Sequence, residues 1–132
     1  MPAASDRIVV LGAGQAGASL VAKLREAGHA GPIALVGAEP APPYQRPPLS
    51  KKYLLGEMPR ERLFLRPERF YDEKGIDLRL ATRAEAIDRE AGTVALSDGE
   101  ALPYDRLALC LGSRPRRWPE AKGGALPGVH LV

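Results

Sequence analysis

The chain has 132 residues, 45% of them hydrophobic and 27% charged, the balance of a globular domain large enough to bury a core. A formal net charge of only +3, with no basic stripe carrying interleaved aromatics, gives no reason to expect a nucleic-acid partner. No apolar run reaches the length of a membrane span, and the single cysteine, Cys110, excludes an internal disulfide.

The N-terminal Met-Pro-Ala-Ala-Ser-Asp-Arg has no apolar stretch of its own, so it does not read as a secretory leader, and a cytoplasmic location is the default expectation. Residues 7–11 form a short apolar run, the mark of a strand buried on both faces of a parallel sheet. Residues 15–27 follow a helical pattern, with Ala16, Leu20, Val21, Leu24 and Ala27 as the apolar face and Gly28 as its stop. Residues 33–36 give a second buried strand, completing a βαβ unit. A proline-rich loop then runs over 37–50; Ser50 is expected to cap a short helix at 51–55, and a second helix is expected over 67–74 with Pro67 in its first turn. A third strand is expected at 76–80.

From residue 83 the pattern changes to short alternating runs at 84–88 and 93–97, the second followed by the turn pair Asp98-Gly99. This predicts a small antiparallel meander. An apolar strand returns over 104–112 and stops at Gly112, and residues 129–132 read as the start of another strand. The fold class expected is α/β, a parallel sheet carrying a small β-meander.

The chemistry concentrates at Gly12-Ala13-Gly14-Gln15-Ala16-Gly17, where a strand breaks into Gly-x-Gly-x-x-Gly and then a helix. Such a turn aims unpaired backbone N–H groups and the positive end of a helix dipole at one point, which suits a pyrophosphate. Gly12 allows the turn, Gly14 lets the phosphates approach, and Gly17 lets the helix lie close to the strand. Placed inside a βαβ unit, the motif predicts dinucleotide binding. Such sites also carry an acid at the end of the second strand to bind a ribose hydroxyl. Here that position is Ala38, with Glu39 one residue on; Glu39 either serves the ribose or is a solvated loop residue. In the loop, Pro47, Pro48 and Leu49 offer a rigid apolar wall. Lys51, expected in the first turn of a helix where a cation is disfavoured, calls for a phosphate or carboxylate partner unless its role is structural. His29 and His130 stand alone, no catalytic triad is spaced, and no metal-ligand set exists.

Several segments together resemble the flavoprotein reductases that serve ferredoxins. They are the glycine motif, Pro43-Tyr44-Gln45-Arg46-Pro47-Pro48-Leu49-Ser50-Lys51, Leu63-Phe64-Leu65-Arg66-Pro67, Ser97-Asp98-Gly99, Leu102-Pro103-Tyr104-Asp105-Arg106-Leu107 and Gly112-Ser113-Arg114-Pro115-Arg116. The resemblance implies a Rossmann-like FAD-binding domain of the glutathione-reductase type, with all of 1–132 lying in its N-terminal part. It implies a hydride passed from NAD(P)H to FAD, and single electrons passed on to a 2Fe–2S ferredoxin that feeds an oxygenase. Gly12, Ala13, Gly14, Gln15, Ala16 and Gly17 would hold the FAD pyrophosphate. Arg46, Pro48 and Lys51 would lie near the flavin and its phosphates, Ala84 would offer its backbone to the adenine, and Gly112 would close the flavin side. No Cys-x4-Cys pair stands near the loop, so a dithiol relay is not implied.

Two positions depart from the family's pattern: Ala38 replaces an acid, and Cys110-Leu111-Gly112 replaces Ala-Thr-Gly. Chains of the family are much longer, so its NAD(P)H domain and C-terminal domain lie outside this sequence, and NAD(P)H turnover by the chain alone is not expected. Two other readings are a truncated remnant that binds FAD weakly or not at all, and a small NAD-binding dehydrogenase using the same glycine turn.

Overall fold

The computed structural model describes residues 3–131; residues 1 and 2, at the start of the segment read as non-secretory, and Val132, in the last expected strand, lie outside it. Four strands form a parallel sheet in the order β3-β2-β1-β7: β1 (Ile8–Leu11), β2 (Ile33–Val36), β3 (Ile76–Arg79) and β7 (Arg106–Leu109). A second sheet, β4 (Ala84–Asp88), β5 (Thr93–Leu96) and β6 (Ala101–Pro103), is the expected antiparallel meander.

The strand period of two explains how these elements stack. Ile8, Val10, Ile33 and Leu35 point to one face, where they pack with Ile76, with Val21 of α1 (Gln15–Glu26) and with Tyr71 of α2 (Arg69–Glu73). Val9, Leu11, Ala34 and Val36 point to the other face and meet Val94 and Leu96 of the meander. Every residue of β1 and β2 is therefore buried, and each large apolar side chain among them contributes about 1.5–3 kcal/mol. The molecule is a three-layer stack of helices, parallel sheet and meander.

Four details differ from expectation. The buried side of α1 is Gly17, Ala18, Val21 and Ala22; Ala16 and Ala27 are exposed. The helix expected at 51–55 is instead a 3-10 turn over Pro47–Ser50, followed by turns to Gly56. Two prolines with φ fixed near the helical value start the turn where they stand, and a proline at the first helical position loses no hydrogen bond. A further 3-10 turn at Arg60–Leu63 has no apolar period long enough to announce it. Residues 129–131 form no strand.

Near the start of β1 and β7 two dipeptides cross-pair. Asp105 accepts from the Arg7 backbone N–H at 2.7 Å and from its guanidinium at 3.0 Å through both oxygens, while Arg106 donates to Asp6 at 3.1 Å. These contacts lock the register that sets Ile8 beside Arg106. Hydrogen bonds from the Arg7 side chain, then from its backbone, hold the Asp105 carboxyl down from 3.8 to about 2. A carboxyl depressed in the folded state stabilises the fold at pH values above its unfolded pKa, and that stability is lost as pH falls through the folded one. Asp105→Asn is therefore expected to lower Tm at neutral pH, with the gap to the wild type closing between about pH 4 and pH 2. A gap that stayed constant in circular-dichroism melts across that window would contradict the assignment.

Candidate nucleotide-binding site

β1, β2 and β7 run in parallel and end together, Leu11 lying beside both Val36 and Leu109. The chain leaves β1 toward β2 on one side, whereas β7 lies on the other, so the carboxyl end of β1 is a point where the strand order reverses. In open α/β sheets ligands bind in the crevice at such a point. The glycine turn occupies it.

Each glycine of the motif meets a different constraint. Gly12 has φ +109°, and a Cβ placed there would lie 2.0 Å from the Cys110 carbonyl oxygen across the crevice. A Cβ on Gly17 would lie 2.0 Å from the Gly12 carbonyl oxygen, so α1 can approach β1 only because Gly17 has no side chain. Gly14 is the opposite case, with nothing within 4 Å of the position a Cβ would take. It opens α1 without a side-chain cap, and the first turn carries no acid. The first helical N–H groups, at Gln15, Ala16 and Gly17, thus lack intrahelical acceptors and adjoin free space. Ala13 completes the turn and touches Gly37: a Cβ on Gly37 would lie 2.5 Å from that of Ala13. Sequence reasoning missed Gly37, whose only signal is a glycine just past the second strand.

The second strand's end and the meander are tied together beside this turn. Gly37 donates to Arg79 O at 2.8 Å, Thr82 donates to Gly37 O at 2.9 Å and Ala81 donates to Glu39 O at 3.0 Å. Ala81 adopts φ +51°, which is uncommon for a residue with a side chain and frequent at functional sites. Ala84 follows as the first residue of β4, at a register shift between Ala84 and Ala86.

Ala38 and Glu39 are both exposed. Glu39 is not a free solvated residue: Tyr44 donates its hydroxyl to Oε2 at 2.5 Å and Arg46 donates to Oε1 at 2.6 Å. Arg46 also donates to the Tyr44 hydroxyl at 3.1 Å and lies 5.0 Å over the Tyr44 ring. The Tyr44 and Arg46 hydrogen bonds hold the Glu39 carboxyl below the usual carboxylate range, while partial burial and Glu39 push the Tyr44 phenol up. Sequence reasoning assigned no role to Tyr44; the signal present was the spacing of acid, tyrosine and arginine within one proline-bound loop.

Of the three residues expected to form an apolar wall, Pro48 and Leu49 are half-buried and Pro47 is exposed. Lys51 stands at the C-terminal end of the Pro47–Ser50 turn rather than at a helix start, its N–H on Pro48 O at 2.9 Å and its ammonium on Pro47 O at 3.3 Å. At that end of the turn helix-start repulsion does not apply, and carbonyls rather than the expected phosphate or carboxylate are the partners of Lys51. Gly112 has φ +68° and is exposed just beyond β7. Cys110 is half-buried and donates its backbone N–H to Leu11 O at 2.7 Å. His29 is buried, with Nε2 on Asp6 O at 3.0 Å. Among the described residues no group of three His, Cys, Asp or Glu gathers for a metal, and no helix is long and apolar enough to cross a membrane.

A parallel sheet with a Gly-x-Gly-x-x-Gly turn at its switch point and a meander on one face defines a Rossmann-type dinucleotide-binding domain. Comparison with known proteins gives the particular family. The model of the pyridine nucleotide-disulphide oxidoreductase family matches residues 6–131, and the chain belongs to that family. Rhodocoxin reductase from Rhodococcus erythropolis is 48% identical over 125 residues, covering 95% of this chain and 29% of that protein. The crystal structure of a covalent putidaredoxin reductase–putidaredoxin complex superposes with a TM-score of 0.82 at 45% identity, covering 86% of this chain and 27% of that one. A ferredoxin reductase from Rhodopseudomonas palustris superposes with a TM-score of 0.83 at 40% identity, covering 95% and 30%. The chain thus spans about three-tenths of the length of the relatives it matches. These relatives are oxidoreductases by name, and the family depends on FAD and uses NAD(P)H. With one cysteine in the sequence, this chain supplies no disulphide of its own.

Proposed function

We propose that the chain is the FAD-binding part of an NAD(P)H-dependent flavoprotein reductase that passes electrons to a 2Fe–2S ferredoxin feeding an oxygenase. The observation that carries this is the open space over Gly14 beside an uncapped, acid-free helix start. A pyrophosphate needs that combination of free N–H donors, positive dipole end and room. The residues present therefore fit the group. Gly12 and Gly17 shape the turn, and Ala13, Gly14, Gln15 and Ala16 line it. Arg46, Pro48 and Lys51 bound the flavin side, with Gly112 across the crevice, and Ala84 offers its backbone at the adenine end. FAD, when bound, supplies the step from two-electron hydride transfer to one-electron delivery; the protein supplies position and electrostatics. Lys51 places positive charge on that side of the site, the charge of Arg46 being paired with Glu39, and the proline-bound loop keeps its shape without a ligand through Gln45 N–H on Leu63 O and Leu65 N–H on Pro43 O, both at 2.9 Å.

The test separates the cradle from the fold. Gly14→Val puts its Cβ where no protein atom lies within 4 Å, so Tm is expected to hold within about 2 °C while FAD affinity, read by flavin fluorescence titration, falls at least about tenfold. Equal FAD affinity in the variant, or a wild-type chain that FAD neither binds nor stabilises, would refute the cradle. NADH titration of the same protein distinguishes the dehydrogenase reading, which requires nicotinamide nucleotide to bind in preference to FAD.

A further inference from the structure

Glu39 does not present a free carboxylate to the crevice: both of its side-chain oxygens are engaged within its own loop. Its two partners, Tyr44 and Arg46, also bond each other, closing a three-membered ring of contacts across residues 39–46. The far side of this ring is anchored twice. Tyr44 bridges to Phe64 as an antiparallel pair, and the Gln45 side chain donates to Arg62 O at 3.0 Å. The near side is anchored by Glu39 O accepting from Ala81. Arg46 then leads directly into Pro47–Ser50, as the residue before that turn. A rigid turn takes its direction from the residue that precedes it, because its own prolines have fixed φ.

We infer that Glu39 is a positioning residue rather than a ribose ligand: by holding Arg46 and Tyr44 it sets the angle at which the Pro47–Lys51 segment faces the flavin end of the site. This rests on the FAD reading for what the segment faces, but not for the clamp itself. The contact geometry favours the clamp over a ribose role. A carboxylate bonded to a guanidinium and a phenol at 2.5–2.6 Å, its own side chain and that of the guanidinium half exposed or more, would have to give up both contacts to turn toward a neutral hydroxyl. Ala38, the position where an acid would meet a ribose, has no polar side chain at all. The electrostatics agree, since the carboxyl titrates below its usual range on account of Tyr44 first and Arg46 second.

The experiment uses the whole chain as wild type, Glu39→Ala, Arg46→Ala and the double variant. In the absence of FAD, amide hydrogen exchange at Gln45, Leu65 and Lys51 is expected to quicken at least about fivefold in Glu39→Ala, and no further in the double variant. Exchange in β1 should stay unchanged, showing an intact core. With FAD bound, Glu39→Ala is expected to shift the visible absorption and circular dichroism of the flavin ring, because the segment beside the ring has moved. A ribose ligand acts at the other end of the cofactor and would lower affinity without changing the ring's spectrum. Unchanged loop exchange, or FAD affinity lost additively with an unshifted flavin spectrum, would overturn the inference. If the wild type binds no FAD, the cofactor reading fails while the exchange measurement still decides the clamp.

Discussion

Gly12→Ala is expected to lower the urea unfolding midpoint at 25 °C severely, through a loss of about 2–6 kcal/mol. Two costs coincide at this residue. Its φ of +109° lies in backbone territory that side chains rarely adopt, worth about 1–3 kcal/mol of strain. The new methyl would also sit 2.0 Å from the Cys110 carbonyl oxygen. That atom belongs to backbone tied to β1 through the Cys110 N–H on Leu11 O, so it cannot swing aside as a side chain would. Overpacking of this kind typically adds about 1–3 kcal/mol more. The sum, about 2–6 kcal/mol, is a large share of the roughly 5–15 kcal/mol that separates folded from unfolded small domains. Gly17→Ala is expected to be nearly as damaging, since its methyl would meet the Gly12 carbonyl at 2.0 Å and Leu35 at 3.1 Å. A Gly12→Ala protein with a wild-type urea midpoint would mean that β7 and the glycine turn are not in contact as described. Three glycines of one motif thus divide: substitution at two of them tests the fold, and at Gly14 it tests the ligand.

The second large effect is expected at Arg25, near the end of α1. Its guanidinium donates to four backbone carbonyls, those of His29 and Gly31 at 2.7 and 2.8 Å and those of Lys74 and Gly75 both at 2.8 Å. One side chain therefore joins the loop after α1 to the loop after α2, fixing where β2 and β3 begin. Two of the four bonds are partly buried. Hydrogen bonds from a charged donor contribute about 1.5–3 kcal/mol where shielded and less in water, so Arg25→Ala is expected to cost about 2–4 kcal/mol. Arg25→Lys should recover less than half of that, because an ammonium cannot reproduce the planar fork that reaches both loops. Urea unfolding midpoints of the two variants check both numbers; an alanine variant within about 0.5 kcal/mol of wild type would show that water replaces the clamp.

Those two residues show how unevenly the molecule was legible. Gly12 announced half of its role in the sequence, because its positive φ belongs to a local succession of strand, turn and helix; its approach to the Cys110 carbonyl exists only once β7 is paired with β1. Arg25 announced nothing. Helical period sets it mostly off the apolar face, and the carbonyls it binds on the second loop are 49 and 50 residues away. The same contrast separates Asp98-Gly99, whose hairpin was evident from two residues, from Gly37, whose close approach to Ala13 exists only once β1 and β2 are paired. Lys51 is an intermediate case. The sequence placed it at a helix start, where a cation needs a partner, whereas it ends a 3-10 turn whose carbonyls it bonds; the onset of such a turn depends on where two prolines take hold rather than on a capping serine.

By itself, then, the sequence determined the βαβ unit, the meander, the place of the glycine turn and the family. These follow from backbone rules, the period of apolar residues and the absence of side chains at particular positions, all written over a few consecutive residues. Only the tertiary structure decided what the polar side chains do: that Arg25 fastens two loops, that Asp6, Arg7, Asp105 and Arg106 set the register of β1 against β7, and that Glu39 is bound to Tyr44 and Arg46. Hydrogen bonds and ion pairs have no period along the chain. Their partners are chosen by which loops the packed layers bring within about 3 Å, and that choice exists only after the apolar faces have found each other.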